Sequence, residues 1–388
     1  MVRFGSIFSQ LLNVFSRPDF ERSVKDHQAQ RYSKGFSSWH QFVSMLFCHL
    51  AQAKSLREIC NGLACCEGKL RHLGVPDAPS RSTLSYANHH RPWELYESVF
   101  YQLLDRCKLA APGKPKRFRF RNKLLSLDSS TIDLCLSLFP WAKFRQTKGA
   151  IKLHLLLDHD GYLPTWAWIT EGKKHDVKAA QGLHLPKGSV VALDRGYNDY
   201  SLFGDWCENG VYFVTRMKSN AVYQVVEYKD IPENGGVLSD EIIRLTSQKA
   251  RKECPHLLRR VVYYDTQADR EFVFLTNHLE FGSTTIAAIY KDRWQIESFF
   301  KALKQNLKVK TFVGTSPNAL KTQIWTALIA MLLLRYLQLR SRLNWHFSNL
   351  VALLRWNLFT YRDLWEWIHK PFDTPPQSPI SEQLALSI

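Results

Sequence analysis

The sequence predicts an α/β fold, in which an all-helical N-terminal domain precedes a mixed-sheet core that carries an all-β insertion. Three observations predict it. Apolar residues recur at helical spacing through the first hundred residues and give way to strand-like runs after a basic break. Two of those runs, LLSLD and SVVALD, end in an aspartate. Between the second aspartate and a later amphipathic helix, further strand-like runs follow one another with no helical pattern between them.

In the N-terminal segment, residues 1–110, one helix is marked by Phe8, Leu11, Leu12 and Phe15, and another by Phe42, Met45, Leu46 and Leu50. Ser55 and Glu58 have capping-box spacing and open the helix SLREICNGLA. After the turn GVPDAPS, a second short helix begins near Ser80 or Ser82 and carries Arg81, Thr83, Tyr86, Asn88, His89 and His90. Two short helices around a turn have the outline of a helix-turn-helix, and an ordinary packing pair has the same outline. Residues 111–123, APGKPKRFRFRNK, read as a basic linker whose Lys116 and Arg117 are either phosphate contacts or solvated.

The core is expected over 124–210 and 284–370. Its strands are LLSLD (124–128), KLHLLLD (152–158), YLPTWAWIT (162–170) and SVVALD (189–194), with His159-Asp160-Gly161 as a hairpin turn. The insertion, 211–283, holds the runs 212–218, 222–229, 257–265 and 271–277. A helix follows from about Thr284 to Leu307, then an apolar helix near 324–340 and another near Phe347–Leu358. The Pro-rich end, 371–388, reads as a disordered tail.

Hydrophobic residues at 45% and aromatics at 13% of 388 residues are enough for a packed core. Lys and Arg number 52 against 35 Asp and Glu, a net charge of +17, which favours a polyanionic partner, nucleic acid before an anionic membrane. The longest apolar run, Ile324–Leu334, falls short of the roughly 20 residues a membrane span needs, so it reads as a core helix. The eight cysteines form no CxxC pair. They read as reduced thiols, and a cytoplasmic location is expected.

Asp128 and Asp194 stand at the ends of apolar strands, where ligands bind in open α/β sheets. Desolvating a carboxylate there is costly unless something neutralises it, and a divalent cation with oxygen ligands does so. On the helix near 284–307, at about 100° per residue, Tyr290, Arg293, Glu297, Lys301 and Lys304 share an arc of roughly 80° beside the apolar stripe. Taken alone, that ridge reads as a solvated face with Glu297 paired to Arg293 or Lys301.

The spacing Tyr290-x2-Arg293-x3-Glu297-x6-Lys304 resembles, at all four positions, the Y-(2)-R-(3)-E-(6)-K signature of the insertion-sequence-four family of bacterial DDE transposases. LDSST around Asp128 and LDRGYNDY around Asp194 resemble that family's two aspartate blocks, and FSQLL and SLREI its helical N-terminal domain. The resemblance implies an RNase H-like catalytic core in which Asp128, Asp194 and Glu297 hold two magnesium ions, with manganese as a substitute. Ions roughly 4 Å apart can stabilise both the attacking and the leaving oxygen at phosphorus. It further implies excision of an insertion sequence, transesterification into target DNA, and a homodimer that pairs two terminal inverted repeats. Related enzymes pass through a hairpin intermediate.

The same resemblance makes Arg293 and Lys304 phosphate ligands and Tyr290 a backbone contact, with Lys301 on the same ridge. Phe272 in EFVFLTN either stacks on a flipped base or is a buried strand residue. His175 and Asp176 either orient a water or phosphate near the site or stabilise a turn. Lys143, Arg145, Lys148 and Lys152 line a DNA groove or form a solvated basic face. Two other functions share parts of this pattern. A non-catalytic DNA-binding descendant would be expected to lose a carboxylate, and a metal-dependent nuclease acting on structured DNA has no evident need of the Tyr-Arg-Glu-Lys ridge.

Overall fold

The computed structural model describes residues 5–31, 33, 35–66, 68–110, 117–145, 148–306 and 312–375. The chain starts with helices α1 (Ile7–Leu12), α2 (Arg17–Asp26), α3 (Ser38–Leu50), α4 (Leu56–Ala64), α5 (Arg81–His90) and α6 (Glu94–Ala110). Next come β1 (Leu124–Leu134), β2 (Lys143–Arg145), β3 (Lys148–Asp158), β4 (Leu163–Glu171), α7 (Asp176–Gln181), β5 (Val190–Leu193) and α8 (Tyr200–Glu208). They are followed by β6 (Tyr212–Arg216), β7 (Tyr223–Tyr228), β8 (Val237–Leu245), α9 (Gln248–Glu253), β9 (Leu258–Asp265) and β10 (Arg270–Thr276). Helices α10 (Ser283–Asp292), α11 (Trp294–Asn306), α12 (Pro317–Arg340), α13 (Phe347–Asn357) and α14 (Leu364–His369) complete the order.

Two compact units emerge: Met1–Ala111 with Ala302–Ile388, and Pro112–Lys301. The chain from Ala302 onward therefore groups with the N-terminal helices; of the stretch 284–370 expected with the sheet, residues 284–301 lie there. The reason is α12. Its residues from Ala319 to Leu334 are almost all buried, and a helix apolar on every side needs neighbours on every side. Helices α3, α5, α6 and α13 provide them. By length and composition α12 could cross a membrane, but 78% of its most apolar window is buried inside the fold.

In this helical unit the expected cap at Ser55 is present. Its Oγ accepts from Glu58 N at 3.2 Å, while the Glu58 carboxylate accepts from Lys54 N at 2.9 Å. Ser80 caps α5 in the same way. Arg81, Tyr86, His89 and His90 lie exposed on α5, and Asn88 turns inward to Gln41 at 2.8 Å. Lys116 and the tail from 376 onward lie outside the described residues.

The second unit is built on one ten-stranded sheet, in the order β2-β3-β1-β5-β6-β10-β9-β8-β7, with β4 on β3. The pairs β1–β5 and β5–β6 are parallel and the others antiparallel. Three features differ from expectation. The insertion does not stand apart as an all-β unit: β6 extends the parallel ladder, β10 continues the same sheet, and α9 interrupts the strands. Strand β8 was not foreseen because Asp240 and Glu241 sit in its middle. Both are buried, paired with Arg259 at 2.6 Å and Arg260 at 2.9 Å on neighbouring β9. The helix expected over 284–307 breaks at Arg293, between α10 and α11.

Candidate active site

Strand β1 runs on to Leu134, so Asp128 is a mid-strand residue rather than the end of one. What ends there is the parallel ladder. It pairs Leu124 with Val190 through Leu127 with Leu193, leaving Asp128 and Asp194 as the next residue on each strand. Beyond this point β1 stays paired only with β3, Asp128 opposite Leu155. The backbone thus splays two carboxylates into the gap where two strands part, as expected at the carboxyl ends of parallel strands.

Arg293 brings in the third acid. From the α10–α11 junction its Nη1 donates to Asp128 Oδ2 at 2.9 Å and its Nη2 to Glu297 Oε1 at 2.6 Å. Asp128 also accepts from Ser129 N at 2.7 Å, and Asp194 from Gly196 N at 3.0 Å at the start of a 3-10 turn. Burial pushes the Asp128 carboxyl up to about 6; Arg293 and the Ser129 amide pull it down, and the like charges of Asp194 and Glu297 raise it further. A carboxyl raised by burial and by neighbouring negative charge is one that a cation stabilises. All three are hard oxygen donors, the type that suits magnesium or calcium. Among the described residues no three His, Cys, Asp or Glu side chains are grouped so as to hold a metal ion; Arg293 instead ties two of the acids together.

Tyr290 is buried, its ring 5.0 Å from Phe274, with the Arg293 guanidinium 5.3 Å from its centroid. Burial raises its hydroxyl pKa, and Asp194 adds to the rise. Phe272 is half-buried and packs against the core beside Phe274, with the guanidinium groups of Arg270 and Arg216 at 4.4 and 5.3 Å from its ring. Lys301 is exposed on α11. Lys304 is half-buried on the part of α11 that groups with the helical unit, as does Arg81 on α5.

A model of the transposase DDE domain matches residues 119–333, and a model of a domain of unknown function matches 5–76. A putative transposase of Sinorhizobium fredii is 31% identical over 308 residues, which cover 78% of this chain and 83% of that one. A probable transposase of insertion sequence IS5377 from Geobacillus stearothermophilus is 29% identical over 66% of this chain and 67% of its own length. The Escherichia coli transposase of IS4 is 23% identical over 48% of this chain and 43% of its own. The chain belongs to the IS4 family of DDE transposases. It is an enzyme that acts on DNA, its fold is the mixed α/β RNase H-like type, and its domain class depends on divalent cations.

The transposase also carries polar pairings that the sequence does not show. Asp176 accepts from Ser129 Oγ at 2.8 Å and Lys152 Nζ at 3.1 Å, which sets a fourth carboxylate beside the residue following Asp128. His175, its neighbour, is exposed at the start of α7. Lys152 is therefore an ion-pair partner and not part of a free basic face. Buried His154 faces Asp176 at 3.7 Å and bonds Thr170 at 3.0 Å, and burial holds its imidazole down to about 4. Arg117, expected as a solvated or phosphate-contacting linker residue, pairs with buried Asp292. These pairings are not legible in the sequence, because the partners lie on other elements.

Proposed function

We infer that this transposase excises an insertion sequence by hydrolysing the phosphodiester bonds at its ends and joins the freed 3′ ends to target DNA by transesterification. Asp128, Asp194 and Glu297 are read as the metal-binding acids. One observation carries the reading: a buried guanidinium bridges Asp128 and Glu297 where the parallel ladder ends and Asp194 stands. When bound to these acids, two magnesium ions would supply an activated nucleophile and a stabilised leaving oxygen.

The chain's own groups do the rest. Arg293 holds two carboxylates in fixed orientation, and an acid that is already oriented loses little freedom on meeting a cation or a phosphate. Tyr290, wedged against Phe274, backs the guanidinium. Lys301, Lys304 and Arg81 are read as phosphate contacts that position DNA without reading its sequence. Phe272, with two guanidiniums at its ring, offers a stacking face for an unpaired base beside its phosphates. Joining requires two element ends to be held together, so the working form on DNA is a homodimer.

The test incubates purified protein with magnesium chloride and duplex DNA carrying the inverted repeats that flank its gene. Excision with strand-transfer products is expected, and hairpin-capped ends on a denaturing gel would add the intermediate. Cleavage without joining would make the protein a nuclease, and binding without cleavage a DNA-binding regulator.

A further inference from the structure

Asp292, the last residue of α10, is a carboxylate buried almost completely. A buried charge needs compensation, and Arg117 and His159 supply it, with the Tyr162 hydroxyl also bonded to the carboxylate. Arg117, half exposed in the segment before β1, donates Nη1 to Oδ1, and His159 Nδ1 meets Oδ2 at 2.6 Å. The other nitrogen, His159 Nε2, lies 2.7 Å from Ser126 Oγ. With Nδ1 donating to the carboxylate, a neutral imidazole has Nε2 free to accept the Ser126 hydroxyl. A Ser-His-Asp order also occurs around enzyme nucleophiles, but Ser126 is wholly buried and no substrate could reach it.

The placement of the two ends is what matters. Asp292 is bonded in sequence to Arg293, so fixing one carboxylate at the helix break fixes the start of the guanidinium arm. Ser126 is two residues before Asp128 on β1, on the same face of the strand. The contacts close a ring from Ser126 through His159 to Asp292, along the chain to Arg293, across to Asp128, and back along β1.

We propose that Arg117, Asp292, His159 and Ser126 are positioning residues that lock the α10–α11 junction to β1 and aim Arg293 at Asp128 and Glu297. In this role they act through Arg293. This rests on the active-site reading above, because it gives Arg293 a task worth aiming.

The experiment is a double-mutant cycle on the full chain. Arg117→Gln, Arg117→Lys and His159→Gln are each made in the wild type and in Arg293→Gln. Single-turnover cleavage of the inverted-repeat duplex in magnesium chloride is measured per folded molecule, together with Kd for the same DNA. Partners that orient an active-site ligand contribute about 10–100-fold. Arg117→Gln and His159→Gln are expected to lose that much cleavage rate with Kd unchanged, and Arg117→Lys to regain most of it. In Arg293→Gln the same changes should cost no more than about twofold, since independent sites would add and a shared task does not. An equal loss in both backgrounds, or a loss seen only in Kd or folded fraction, overturns the relay. If Arg293→Gln itself cuts like the wild type, the active-site reading fails and the relay falls with it.

Discussion

Replacing Arg293 by Gln removes a cation hydrogen-bonded to Asp128, and the size of the effect on stability follows from the titration of that acid. Its carboxyl is pushed up to about 6, so in metal-free protein the folded state keeps a proton that the unfolded chain releases near its ordinary value of about 3.9. Stability from this group therefore falls as pH rises through the window from about 4 to about 6, and the full loss is reached above it. At about 1.4 kcal/mol per unit, that loss is about 3 kcal/mol at pH 7 in the wild type. Without Arg293 the carboxyl rises further, but proton uptake caps the total near about 4 kcal/mol, so the variant loses about 1–1.5 kcal/mol more through Asp128. Glu297, with its side chain 39% exposed, adds less than about 1 kcal/mol because solvent screens it. At pH 5 Asp128 is mostly protonated with or without Arg293, so its share vanishes. Urea unfolding in a chelating buffer at pH 5 and pH 7 measures the difference. A loss of about 3–5 kcal/mol at both pH values, the size usual for breaking a buried pair, would refute the reasoning.

His154 has the opposite sign. Burial depresses its imidazole to about 4, so the stability it permits is fully present above about 6.5 and is lost as pH falls through about 4. His154→Gln is expected to flatten the acid limb of the unfolding curve by about 3 kcal/mol across that window, and an unchanged limb would show that the ring is not buried neutral. On α5, Arg81→Ala is expected to weaken DNA binding and reduce the slope of log K against log salt by about 1, with cleavage at saturating DNA unchanged. A lower cleavage rate at saturation would place Arg81 somewhere other than a phosphate contact.

Particular residues show how much of this was legible in sequence. Asp128 and Asp194 could be read from apolar runs ending in acids, although β1 continues past Asp128 because its antiparallel ladder with β3 outlasts its parallel one with β5. Glu297 could not be separated from a surface ion pair by helix geometry, and the pairing with Arg293 does exist. What the helical wheel lacked is that the same guanidinium also reaches Asp128, on a strand far away in sequence. Asp292, His159 and Ser126 were invisible for the same reason, since three elements meet there only after β1 and β3 have paired. Strand β8 was lost to its two acids, because local composition does not reveal the arginines on β9 that neutralise them. The uniformly apolar α12 was read correctly as a core helix, but the neighbours that bury it were not.

The central claim is that Asp128, Asp194 and Glu297 together carry the chemistry, and Glu297→Gln tests it most directly. The change keeps the shape of the side chain and removes its charge at the edge of the site. Binding and magnesium-dependent cleavage of the inverted-repeat duplex are measured side by side with the wild type. DNA affinity close to wild type with cleavage abolished is the expected result; a variant that cuts at the wild-type rate would contradict the assignment of Glu297.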